Sequence, residues 1–187
     1  MMDGSAEITL FRFKAELRQD GELLLRFRRS GCEFPDGVRW NHRVQWSGDS
    51  VLRDWTNTRW AILRRNWITK GVAKPVRRRL GQRLRLRVPA RYVLEVGDGT
   101  YDMEYRGEFV PLRKALVYRL FLTTPRAPAG GSWVLSQDGS DIANIRISEG
   151  TLDLFVPVPR TVVAMSLQVA YRGRFAVPVP EQPWPLG

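Results

Sequence analysis

Cysteine, histidine and lysine are nearly absent from this chain of 187 residues, which holds one cysteine, one histidine and four lysines. With Cys32 alone there is no internal disulfide, so the fold depends on its apolar core. With His42 alone a multi-histidine zinc site is excluded, and Cys32 cannot complete a cysteine cluster by itself. No stretch approaches the roughly 18 apolar residues that cross a membrane as a helix. The N-terminus also lacks the basic-then-apolar order of a secretory leader. These absences predict a soluble chain without a classical signal peptide and without a cofactor.

What is present is a globular composition, 43% apolar, on a length that suits one domain of good size or two small ones. The change in pattern near residue 106 divides it into a basic β-rich region, 1–106, and a region 107–187 ending in a proline-rich arm, with a single domain left open. The net charge is +11, and arginine outnumbers lysine 26 to 4. Guanidinium groups suit carboxylate and phosphate forks and stack on aromatic rings, although a GC-rich coding sequence would give the same bias.

The excess charge is local. Residues 1–22 sum to −2, residues 23–92 to +14, and residues 93–187 to −1. Between Asp54 and Glu95 there is no acidic residue, and twelve cations run from Arg59 to Arg91 with Trp60 and Trp67 among them and Trp55 just before. Such a segment implies an anionic partner: an acidic protein surface, nucleic acid or lipid headgroups.

Alternation dominates the chain. Phe11, Phe13, Ala15 and Leu17 share one face, and Leu23, Leu25 and Phe27 follow the Gln19-Asp20-Gly21-Glu22 turn, which predicts an opening hairpin. Trp40, His42, Val44 and Trp46 share a parity that fits a core face. Over 51–69 the spacing of Leu52, Thr56, Trp60, Leu63 and Trp67 predicts a short basic helix, with tryptophans packed inward; Trp60, Ile62, Ile68 and Thr69 also suit a strand. Arg77-Arg78-Arg79 reads as a connector, and Arg83, Arg85 and Arg87 then alternate with Leu84, Leu86 and Val88. Tyr92 to Val96 and Tyr101 to Tyr105 form a second hairpin around Gly97-Asp98-Gly99. Further strands are expected at 109–123, 132–137, 142–148, 151–156, 161–171 and 175–179. The whole is mainly β, an antiparallel sandwich or barrel. The end of the chain, with Pro178, Pro180, Pro183, Trp184 and Pro185, is extended: either a disordered end or an arm that docks on a neighbour.

Gly131-Ser132-Trp133-Val134-Leu135, Gln137-Asp138-Gly139, Ile145-Arg146-Ile147, Glu149-Gly150-Thr151 and Val169-Ala170-Tyr171-Arg172-Gly173 follow one another in the C-terminal third. Their strand and turn rhythm resembles that of bacterial and phage immunoglobulin-like repeats. Pro157 and Pro159 depart from it, standing where those repeats usually hold small residues. The resemblance implies a non-catalytic sandwich used in adhesion or assembly, and it transfers no binding residues.

Few residues offer chemistry. Cys32 and His42 lie ten apart with no evident third group to orient them. Gly97-Asp98-Gly99 lacks the third glycine and the following helix of a dinucleotide site. Asp102 and Glu104 alternate with core positions as a solvated face does, and Asp138 and Asp141 suit a turn better than calcium. No helix-turn-helix, ribonucleoprotein or zinc-finger signature accompanies the arginines. The sequence therefore points to a non-enzymatic structural or assembly protein, such as a phage capsid, tail or surface-structure component. It would seat on an acidic partner through Arg77, Arg78, Arg79, Arg83, Arg85 and Arg87, and link to neighbours through Pro180, Pro183, Trp184 and Pro185. The alternative is sequence-nonspecific nucleic-acid binding dominated by phosphate contacts.

Overall fold

A computed structural model describes residues 1–11, 14–28, 30–45, 49–54, 68–76, 87–107, 131–173 and 177–179. Its strands are β1 (Met2–Leu10), β2 (Lys14–Gln19), β3 (Glu22–Arg28), β4 (Gly31–Glu33), β5 (Arg39–Val44), β6 (Ser50–Asp54) and β7 (Ile68–Pro75). They continue with β8 (Arg87–Pro89), β9 (Arg91–Val96), β10 (Gly99–Arg106), β11 (Ser132–Gln137), β12 (Ser140–Arg146), β13 (Thr151–Val158) and β14 (Val177–Val179). Among the described residues one helix, α1, spans Arg160–Gly173. Twelve strands close into an antiparallel barrel in the order β1-β13-β12-β11-β10-β9-β7-β6-β5-β4-β3-β2. The sandwich alternative is thereby corrected: β1 pairs with both β13 and β2, so one sheet closes on itself, and the other described sheet is only the two-stranded pair β8 and β14. Strands from both sides of residue 106 enter this barrel.

The predicted hairpins appear where alternation is strongest. Between β2 and β3 the turn residues Asp20 and Gly21 both take positive φ, the geometry that matches the twist of a two-residue hairpin. Gly97 does the same between β9 and β10. In each strand one parity faces inward: Ala15 and Leu17, Leu25 and Phe27, Trp40 and His42, Tyr92 and Leu94, Met103 and Tyr105, Trp133 and Leu135 are all buried. Val44, on the parity of Trp40 and His42, is exposed at the end of β5.

Barrels of about eight strands are filled by their own side chains, and those of about sixteen enclose a channel. The lumen here takes a helix. Ten consecutive residues of α1, from Val162 to Tyr171, are buried all round, as expected of a helix with no solvated face. Its neighbours are inward-facing. The Tyr171 ring meets Phe27 edge-on at 5.2 Å between centroids, and a Cβ at Gly71 would lie 3.8 Å from Met165 Cγ. Both ends are tied to the wall: Arg160 pairs with Asp36 at 2.9 Å and lies over the Phe34 ring, and Arg172 donates to Ser50 Oγ at 2.7 Å. Arg172 also sits where the negative end of the helix dipole favours a cation.

One expectation is corrected here, and another in part. Residues 161–171, expected as a strand, are helical: a run apolar on every side carries no period to separate helix from strand, and Ala164, Met165, Leu167, Gln168 and Ala170 are good helix formers. Val169 to Gly173, part of the immunoglobulin-like rhythm, close this helix. The helix expected over 51–69 is corrected only at its ends, where 51–54 belong to β6 and 68–69 to β7, which pair antiparallel with Leu52 opposite Gly71; residues 55–67 lie outside the described residues. Trp55, Trp60 and Trp67 lie outside the described residues.

Gly31 has a φ of 150°, and a Cβ there would be driven into the backbone carbonyl oxygen of Trp40. Gly31→Ala is expected to cost on the order of 2–4 kcal/mol, because backbone rather than a flexible side chain must give way. Urea denaturation of the variant checks this.

A charge-divided outer face as the candidate site

With the lumen occupied, the polar chemistry of the barrel lies on its outward parity, and strand order sorts that parity by charge. The six consecutive strands β2 to β7 carry nine Lys or Arg and four Asp or Glu, a balance of +5. The other six, β9 to β13 with β1, carry three and seven, a balance of −4. One half of the wall is basic and the other acidic.

On the basic half, register builds a row. Lys14 stands opposite Arg28, Arg28 opposite Gly31, Gly31 opposite Asn41, and Asn41 opposite Arg53. Gly31 leaves the middle of this row without a side chain. Several cations nearby are already neutralised: Arg39 by Glu33 at 2.6 Å, Lys70 by Asp54 at 3.3 Å, and Lys74 by Glu95 at 2.6 Å across the seam between halves. Arg28 and Arg43 are exposed and make no ion pair among the described residues. Arg53 Nε is buried in the wall without a hydrogen-bond partner.

Glu16 organises the neighbouring strands. It is 5% exposed, yet sits on the outward face of β2, where Lys14 (3.0 Å), Arg18 (2.9 Å) and Arg26 (3.1 Å) all donate to it. The bonds from Arg18 and Lys14 hold its carboxyl at about 2, against the ordinary 4.5, with burial opposing them. A depressed carboxyl pKa contributes stability that is complete above the unfolded value and is lost as pH falls through the folded one. Wild type is therefore expected to lose ~2 kcal/mol between about pH 4.5 and 2, a figure discounted for screening of the three partly exposed cations. Glu16→Gln should show a flatter profile in that window when both are melted across the acid range.

The acidic half contains its own pairs. Arg106 forks onto Asp141 at 2.7 and 3.1 Å, Ser136 adds a bond of 2.8 Å, and Arg146 pairs with Asp153. The Arg106 and Ser136 hydrogen bonds lower the Asp141 pKa, and Asp141 in turn raises that of Arg106. Asp141 is thus engaged by a guanidinium rather than placed for calcium, and Asp138, at φ 51°, serves the turn. Glu7 and Asp102 are exposed with no ion pair among the described residues.

Cys32 and His42 both face the lumen on adjacent strands. Burial pushes the Cys32 thiol up to about 12, so it stays protonated and is no nucleophile. No group of three or more His, Cys, Asp or Glu is arranged for a metal among the described residues. No described helix is long and apolar enough to cross a membrane.

Arg77, Arg78, Arg79, Arg83 and Arg85 lie outside the described residues, as do Pro180, Pro183, Trp184 and Pro185. Arg87 is placed by its backbone alone, in β8, opposite Val177 of β14. There the last described residues of the tail pair in parallel with the chain's own β8. The residues that sequence reasoning did not single out are Arg28, Arg43 and Arg53. Their signal was the local charge excess, but only cross-strand register brings them to one surface. Comparison with family models, with curated proteins and with solved structures yields no match.

Proposed function

We propose that this chain is a non-enzymatic assembly module that seats on an acidic protein surface through the half-barrel from β2 to β7. The observation that carries this reading is the division of the outer wall into halves of +5 and −4. A wall sorted in this way presents one sign to a partner and excludes wrong orientations. The occupied lumen supports the same reading, because a barrel filled by its own helix offers a surface to its partners. Arg28 and Arg43 are the contacts with guanidinium groups to spare, and the arginines between β7 and β9 extend the cationic stretch in sequence.

A protein partner fits better than nucleic acid. Glu16, Glu33 and Asp54 interrupt the cations instead of leaving a continuous track for a phosphate backbone. The test is binding of fluorescent poly-glutamate and of duplex DNA under a salt titration. Poly-glutamate is expected to bind with a negative salt slope, and Arg28→Glu with Arg43→Glu to weaken it roughly tenfold or more. Tighter binding of DNA, with a steep slope, would favour the nucleic-acid reading; binding of neither would remove both.

A further inference from the structure

The acidic surface that the basic half requires is present on the same molecule, and we propose that the partner is a second copy of this chain, docked head to tail. This rests on the reading of the basic half as a seat for an acidic protein. Each half consists of six neighbouring strands, so the basic and acidic faces are centred on opposite sides of the barrel. Arg28 and Arg43 are left over on the basic half; on the acidic half Asp102 is left over on β10, and Glu7 on β1 at the seam, where it stands opposite Arg18 of β2. The acidic half adds an apolar contact on its outward parity, where Phe155 of β13 is 58% exposed.

A contact between two different faces is heterologous, and when those faces lie on opposite sides of the subunit it propagates instead of closing on a dimer. The net charge of +11 opposes association at long range. At about 0.15 M salt that repulsion decays over about 8 Å, whereas groups in contact across an interface lie closer than that. Face complementarity therefore prevails near physiological salt.

The experiment is sedimentation velocity of the full chain at roughly 100 µM, a concentration that reveals micromolar contacts, in about 0.15 M and about 1 M salt. Wild type should sediment as a series of species larger than dimer at the lower salt and revert toward monomer at the higher. Arg28→Glu/Arg43→Glu loses one face and Glu7→Lys/Asp102→Lys the other, so each alone should be monomeric. Mixed in equal amounts, they should form a one-to-one pair and nothing larger, because each retains the face the other needs. All four positions are exposed, and thermal melts of both variants identify any loss of fold. Monomeric wild type, a dimer that survives both double variants, or folded variants that fail to pair would each overturn the proposal. Poly-glutamate binding by the same samples separates the two readings. If the basic face binds poly-glutamate while wild type stays monomeric, the second copy is ruled out and the seat stands; if it binds neither, both fail.

Discussion

Replacing Ser166 with proline is expected to abolish the folded barrel. Ser166 lies in the middle of α1, is 1% exposed, and its hydroxyl donates to the Val162 carbonyl at 2.8 Å. Proline there removes a backbone donor and clashes with the carbonyl four residues earlier, at a cost of ~3 kcal/mol or more in a helix interior. A helix on a protein surface can absorb that by kinking toward solvent. This one is enclosed by the wall, with Phe27, Gly71 and Ser50 against it, so a kink must displace strands. Since domains of this kind have only about 5–15 kcal/mol of net stability, the variant should show no cooperative thermal transition by circular dichroism. A melt within a few degrees of wild type would show that the barrel does not depend on its helix. Leu167→Ala gives the graded counterpart: fully buried, it should cost about 2–5 kcal/mol while leaving a cooperative transition.

The second large effect has the opposite sign. Gln168 is fully buried on α1, and neither its amide oxygen nor its amide nitrogen has a hydrogen-bond partner. Helical spacing sets it between Met165, beside Gly71 of β7, and Tyr171, on Phe27 of β3. It therefore faces the sector of β4 to β6, where the buried Trp40 Nε1 also lacks a partner. A buried amide without hydrogen bonds costs about 1–3 kcal/mol. Methionine has a similar volume and no such cost, so Gln168→Met is expected to stabilise the protein by ~1–3 kcal/mol. At about 2–4 °C per kcal/mol for a chain of this size, the melting temperature should rise by several degrees. A fall would show that the amide is held by a group in the lumen.

The strands that sequence reading found are those with one wet and one dry face. In β2, β3, β9 and β10 the period of two is uninterrupted, and Asp20-Gly21 and Gly97-Asp98 mark the turns. The same signal is present but short in β1, where Ala6, Ile8 and Leu10 alternate with Glu7 and Thr9. The helix was hidden for a physical reason: a segment enclosed on every side needs no polar face, so its sequence carries no period. Closure into a barrel was equally hidden, because it depends on β1 meeting β13 from the far end of the chain. The candidate site shows the same limit. Charge excess in residues 23–92 was plain from composition, whereas the row Lys14, Arg28, Asn41 and Arg53 exists only through register across five strands. Sequence proximity drew attention to Arg77, Arg78 and Arg79 instead.

Whether the two halves of the wall act differently toward an acidic partner is decided by measuring poly-glutamate affinity, at one fixed salt concentration, for wild type and both double variants. Arg28→Glu/Arg43→Glu should lose roughly tenfold or more. Glu7→Lys/Asp102→Lys should bind at least as well as wild type, since it removes no cation from β2 to β7 and, at Glu7 beside Arg18, adds one at the seam. Equal losses from both, or no loss from the first, would contradict a basic half-barrel built to receive an acidic surface.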